Sequence, residues 1–136
     1  MRPSFLSETE RTLLLDKARE ALSRAYAPYS GLRVGAAALT QTGQVYPGVN
    51  VENASYGLTV CAERAAIFAA VAQEGPGMRL KALAVVSDQP GPCPPCGACR
   101  QVIFEFGPDA VVIFQGPDGL EEVPIARLLP KAFSLR

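Results

Sequence analysis

KALAVVSDQPGPCPPCGACRQVIFEFGPDAVVIF, residues 81–114, decides the fold. It holds two short apolar runs, Lys81–Ser87 and Ala110–Phe114, that read as strands. Between them lie a Pro/Gly-rich loop, Gln89–Pro95, and a helical stretch, Gly97–Phe106, stopped by Gly107-Pro108. A strand, a helix and a strand in this order form a crossover unit, and a crossover joins parallel strands. Downstream, Gly116-Pro117-Asp118-Gly119 reads as a turn, Glu121–Val123 as a last strand and Ile125–Leu129 as a helical turn. Upstream, Cys61–Gln73 reads as an alanine-rich helix ended by Gly75-Pro76-Gly77, and polar, small Asn50–Thr59 as a loop. Val34–Thr40 and Gln44–Val49 read as strands around a Thr42-Gly43 turn. Ser7-Glu8-Thr9-Glu10 is a capping box opening a first helix, with Leu14, Ala18, Ala21, Leu22 and Ala25 at helical spacing, broken by Tyr26–Gly31.

The order is therefore α-β-β-α-β-α-β-β-(α), without repeat or linker. It predicts an α/β domain over residues 1–136, a mixed five-stranded sheet with helices packed on it. In such sheets ligands sit beyond the carboxyl ends of parallel strands. The loop from Asn50 and the helix entries at Cys61 and Cys96 all leave that edge.

Composition narrows the function. The chain has 136 residues, 49% of them hydrophobic, enough to bury one core. Lys plus Arg and Asp plus Glu each number 13, a balance that argues against gripping a nucleic-acid backbone. Met1–Ser7 has no apolar run long enough for a signal peptide, and no stretch is apolar enough to span a membrane. The expectation is a cytoplasmic protein whose four cysteines are reduced, and thus available to metal. Histidine is absent altogether. That excludes Ser-His-Asp and Cys-His catalysis and any imidazole ligand, leaving thiolates or carboxylates to hold zinc.

The helix after Cys61 is apolar nearly all round, yet its first turn carries Glu63 and Arg64. Buried charges there are costly unless paired or used. Pro95-Cys96-Gly97-Ala98-Cys99 adds two thiols at a helix start, where the helix dipole favours thiolates. By itself the pair also reads as half of a structural zinc knuckle or as a redox pair. A catalytic zinc keeps three protein ligands and one open position. Cys61, Cys96 and Cys99 supply three, and Glu63 stands two residues from a ligand as a non-ligating general base. Three cysteines, a separate Glu and Pro-Cys-x-x-Cys form the recorded signature of zinc deaminases.

Tyr26-Ala27-Pro28-Tyr29-Ser30, Val34-Gly35-Ala36-Ala37, Asn50-Val51-Glu52-Asn53-Ala54, Cys61-Ala62-Glu63-Arg64 and Pro95-Cys96-Gly97-Ala98-Cys99-Arg100-Gln101 occur in this order. Together they resemble the small cytidine deaminases of free nucleoside metabolism over nearly the whole chain. The resemblance implies a three-layer α/β/α sandwich, one Zn²⁺ per chain, a nucleoside substrate and a homotetramer whose pockets are completed by neighbouring chains. It implies that Asn50 and Glu52 bind the ribose hydroxyls and that the backbone at Ala54 and Ala62 holds the base. Tyr56 would line the pocket across a subunit contact, and Phe133 would cover the base from another subunit. The reaction implied is attack of a zinc-activated water on C4 of cytosine, with Glu63 moving the protons, so that cytidine, and with it deoxycytidine, gives uridine-type product and ammonia.

Three thiolates on zinc sum to −1, which makes zinc a poorer acid. Arg64 and Arg100, each next to a ligand, are expected to hydrogen-bond the sulfurs and offset that charge. Two positions depart from the family pattern. Leu32 stands where many members stack a Phe on the base. Cys93 makes a second, overlapping Cys-x-x-Cys, and a closed four-thiolate structural site is the rival arrangement. A deaminase of a modified cytosine nucleoside is the rival activity.

Overall fold

The computed structural model describes residues 6–135; Met1–Phe5 and Arg136, with the start of the segment read as lacking a leader, lie outside the described residues. Ser7 caps α1 (Glu8–Ala21): its side chain accepts from Glu10 N–H while Glu10 accepts from Ser7 N–H, the reciprocal box expected from sequence. A 3₁₀ turn, Leu22–Arg24, leads to β1 (Val34–Thr40) and β2 (Val45–Val49), joined by a tight turn with Gly43 at φ 90°. Then come α2 (Ala62–Glu74), β3 (Leu80–Ser87), α3 (Gly97–Phe106), β4 (Val111–Gly116), β5 (Gly119–Pro124) and α4 (Ile125–Leu128).

The five strands lie in the order β2-β1-β3-β4-β5. β3 and β4 pair in parallel, as the crossover through α3 requires, and the other neighbours are antiparallel. β4 and β5 run further into their turn than the sequence suggests, because only Pro117 and Asp118 separate them and Gly116 still pairs with Gly119. Asn50–Thr59 is less irregular than expected. It carries a 3₁₀ turn, Tyr56–Leu58, and Val51 bridges both Tyr26 and Val60.

Strand alternation splits the core into two layers. Ala36, Ala38, Leu83, Val85, Val112 and Phe114 face Ala66, Ile67 and Ala70 of α2, Ile103 of α3 and Ile125. Ala37, Leu39, Ala82, Ala84, Val111 and Ile113 face Leu14, Leu15 and Ala18 of α1. The result is the three-layer α/β/α sandwich.

Small residues let the helices lie directly on the sheet. A Cβ at Gly48 would run into Ala62 O and Ala66 N of α2, and a Cβ at Gly35 into Ala18 O of α1. The first turn of α2, which carries the unusual charges, is thus seated on β2 backbone to backbone.

Candidate active site

Cys61 and Cys96 are the N-caps of α2 and α3, and Cys99 lies in the first turn of α3. Two helix N-termini therefore point their partial positive charge at one place, where thiolates are favoured. The Sγ atoms of Cys61, Cys96 and Cys99 all lie within 4.8 Å of one another. Zn–S bonds of about 2.3 Å in tetrahedral geometry place sulfurs about 3.8 Å apart, so this donor set fits a zinc ion. Cys93 stands outside the cluster; its N–H bonds Gln115 O, 2.8 Å away, in the Pro-rich segment. The closed four-thiolate arrangement is not formed, and all four cysteines are unpaired.

The cluster's protonation follows from its contacts. The Cys61 thiol is pushed down to about 5, because the Cys99 thiol hydrogen-bonds its sulfur and Arg64 adds a charge-assisted bond that together outweigh burial. Cys99 is pushed up for the same reason, its proton being held on Cys61, and burial adds to it. Zinc replaces such shared protons with a single stronger charge.

Glu63 is only 5% exposed. Burial pushes its carboxyl up to about 7, and the neighbouring Cys61 charge adds to the rise against opposing bonds from its own backbone and Cys99. A carboxyl poised near neutrality is suited to taking and giving protons at neutral pH. Its charge raises the half-buried Cys93 thiol further, beyond the rise from burial.

The two arginines part company. Arg64 Nη2 donates to Cys61 Sγ at 3.3 Å, as the charge argument expects, while its buried Nε has no partner among the described residues. Arg100 does not donate to sulfur. Its Nε bonds Pro95 O at 2.8 Å and its Nη1 bonds Leu128 O at 3.0 Å. Its position on α3 turns it toward carbonyls in need of donors, so it clamps the segment entering Cys96 to α4.

The expected nucleoside contacts lie on the loops beside this cluster. Asn50 is buried; its Oδ1 accepts from Val34 N and its Nδ2 donates to Leu32 O, leaving one N–H and one lone pair. Glu52 accepts from the backbone N–H of Tyr29 and Ser30 and from the Ser30 hydroxyl. The Ser30 bond above all, helped by the two backbone bonds, holds its carboxyl below the usual range against the opposing effect of desolvation. Glu52 lines a cavity of ≈ 380 Å³ with Tyr29, Ser30, Tyr56 and Thr59. Leu32 lines another, of ≈ 440 Å³, with Ser30, Pro92 and Cys93. Ala62 is fully buried under β2 and Ala54 is exposed on the loop. Tyr56, 76% exposed, meets Tyr29 edge to face at 6.1 Å. Phe133 is 67% exposed, and Gln101 donates to its carbonyl.

Residues 8–115 match the family model described as the cytidine and deoxycytidylate deaminase zinc-binding region. The chain belongs to this family. A curated cytidine deaminase of Sporosarcina psychrophila is 49% identical over 124 residues, covering 89% of each chain. One of Halalkalibacterium halodurans is 46% identical over 128 residues, 92% of this chain and 95% of the relative. The crystal structure of cytidine deaminase from Burkholderia pseudomallei superposes with a TM-score of 0.83 at 45% identity, over 94% of this chain and all of that one. Like those relatives the chain is a hydrolytic, zinc-binding deaminase of mixed-sheet α/β fold. Among its described residues no helix is long and apolar enough to cross a membrane.

Ser30 is the site residue that sequence reasoning passed over. It was visible only as part of a motif, because its contacts, to a carboxylate 22 positions on and to the neighbouring backbone, exist only in the fold.

Proposed function

We propose that this chain removes the C4 amino group of cytidine and deoxycytidine, giving uridine or deoxyuridine and ammonia. One observation carries the reading: a buried, near-neutral carboxyl, Glu63, two residues after one of three clustered thiols. Cys61, Cys96 and Cys99 would hold Zn²⁺, which when bound would supply an activated water for attack on C4. Glu63 takes one proton from the attacking water and delivers it to N3 of the ring, then takes the second proton, from the hydroxyl now on C4, and delivers it to the amino group, which leaves as ammonia while the C4 oxygen becomes the carbonyl. Its burial keeps bulk water from competing for that proton and keeps its affinity close to that of the groups it serves. Arg64 draws charge off Cys61, countering the extra negative charge of a three-thiolate centre.

Asn50 and Glu52 read the ribose hydroxyls with the hydrogen-bonding capacity the loop leaves them. Ala54 and Ala62 hold the base through their backbone, and Leu32 covers its face. A carboxylate at Glu52 disfavours a phosphodiester nearby, which supports a free nucleoside over nucleic acid. Tyr56, Leu58, Phe68 and Phe133 expose large apolar surfaces at 49–76%, which supports a homotetramer whose neighbouring chains bring Tyr56 and Phe133 onto the pocket. Residues 1–136 act as one domain, working in the cytoplasm, where the four thiols stay reduced.

The test is to incubate the zinc-loaded protein with cytidine, deoxycytidine, cytidine 5′-phosphate and a ring-modified cytosine nucleoside, following ultraviolet loss and ammonia release. The two plain nucleosides are the expected substrates. Glu63→Gln should retain zinc and lose about 10²–10⁴-fold in turnover, the range for a positioned acid–base group. Near-native turnover in that variant, or preference for the nucleotide, refutes the assignment.

A further inference from the structure

The turn between α1 and β1 carries one hydroxyl whose bonding is fully directional. Ser30 Oγ lies against Glu52 Oε2 at 2.5 Å and against Leu32 N at 3.0 Å. The Glu52 carboxyl is held in its ionised form by this turn, and an ionised carboxylate only accepts. The hydroxyl proton therefore goes to Glu52, and the hydroxyl oxygen is left to accept from Leu32 N–H. Neither bond can reverse. Tyr29 N–H and Ser30 N–H fill Glu52 Oε1 at 2.9 and 3.1 Å. Of about four acceptor positions on the carboxylate, three are taken within the turn and one, on Oε2, stays open. Gly31, at φ 75°, folds the turn back so that Ser30 can reach both partners.

Ser30 also has a particular place among the cavities. It lines the one that contains Glu52 and Tyr56 and also the one that contains Leu32, Pro92 and Cys93. A nucleoside with its sugar on Glu52 and its base under Leu32 lies across this residue.

We propose that Ser30 is a positioning residue for substrate binding, its hydroxyl fixing the ribose-reading carboxylate of Glu52 and the base-covering Leu32 in one rigid unit. The inference rests on the nucleoside reading above. With the hydroxyl in place, Glu52 offers its last acceptor position in one direction, and Leu32 is tied to the same atom. Without it, Oε2 is free to turn and the Leu32 N–H loses its partner. The loss falls on binding, since among the described residues the hydrogen bonds of Ser30 go to Glu52 and Leu32 and not to Glu63 or the clustered thiols.

The experiment compares Ser30→Ala and Ser30→Thr with the zinc-loaded wild-type protein on cytidine and on 2′,3′-dideoxycytidine, which lacks the hydroxyls Glu52 would read. Ser30→Ala should raise KM for cytidine about tenfold, the size of one bond to a charged group, with kcat within about twofold. KM for the dideoxy compound should rise less, so the preference for a ribose narrows. Ser30→Thr, which keeps the hydroxyl, should restore both values, and in a Glu52→Gln background Ser30→Ala should add little. Ser30→Cys, nearly the same shape with a weaker donor, should fall between and serves if the alanine variant misfolds. An unchanged KM for cytidine, an equal rise for both substrates, or a fall in kcat at constant KM overturns the proposal. Wild-type protein that leaves cytidine untouched overturns the nucleoside reading itself, a result plainly different from a Ser30 variant that behaves as wild type.

Discussion

Gly48→Ala tests whether the seating of α2 on β2 sets the catalytic geometry. The added Cβ would run into Ala66 N, closest of all, and would lie 2.6 Å from Ala62 O and 2.8 Å from Ala66 Cα, where ordinary contact begins at 3.4 Å. The start of α2 must therefore withdraw by about 1 Å, since backbone has no rotamer through which to escape. Overpacking of this kind costs about 1–3 kcal/mol, and the entropy advantage of alanine over glycine in a strand returns about 0.5–1 kcal/mol of it. The net loss, about 1–2 kcal/mol, corresponds to a fall in Tm of about 5 °C for a chain of this size. Activity should suffer more than stability. Glu63 is the second residue of α2, and misplacing a catalytic group by about 1 Å costs on the order of 10²-fold. Calorimetry and steady-state cytidine deamination read the two effects, with zinc content measured beside them. Gly77→Ala, where a Cβ meets nothing within 4 Å, is the control and should leave both unchanged. A Gly48→Ala protein with full zinc, wild-type Tm and wild-type kcat would show that the close approach does not govern where Glu63 sits.

Arg64→Ala should keep the cluster but lower turnover at neutral pH by about tenfold or more, because Cys61 loses its charge-assisted bond; full turnover with zinc retained, by metal analysis and kinetics, removes Arg64 from the chemistry. Thiol titration of the zinc-loaded protein should find one reactive cysteine, Cys93, and four after chelation in denaturant; none before chelation would restore the closed four-thiolate site. The Glu10 carboxyl is held low by its bond from Lys81 and by its capping role at Ser7. A depressed carboxyl adds stability above its unfolded value, near pH 4.3, and loses it as pH falls through the lower folded value. Glu10→Gln should therefore flatten the acid limb of stability, read as urea midpoint against pH, and an unchanged limb refutes this.

The sheet was legible because its elements are local. The capping box at Ser7, the glycine-stopped helices and the β3-α3-β4 crossover each follow from a few neighbouring residues, and the parallel pair follows from the crossover. The metal cluster was legible because helix caps fix its members: two cysteines share one helix start, and the third begins another. Side-chain direction was not legible. Arg64 and Arg100 look alike in sequence, each one turn or less from a ligand, but one reaches sulfur and the other carbonyls. Which it is depends on what α4 and the Pro95 carbonyl offer, a matter of contacts 5 and 28 positions apart.

That divergence divides the work around the thiolates. A centre with three negative ligands needs its charge drawn off and its ligands held still, and one guanidinium serves poorly for both. Arg64, whose Nη2 donates to Cys61 Sγ, would supply charge directly, while its Nε is without a partner among the described residues, a cost of about 1–3 kcal/mol. Arg100 spends its donors on two carbonyls and supplies rigidity, fixing the turn that delivers Cys96 and Cys99. The helix N-termini behind Cys61 and Cys96 add the remaining compensation without any side chain at all. In a chain with no histidine, the proposed zinc centre would thus have its acidity tuned by one arginine and two helix N-termini, and its ligand geometry by a second arginine bound to backbone.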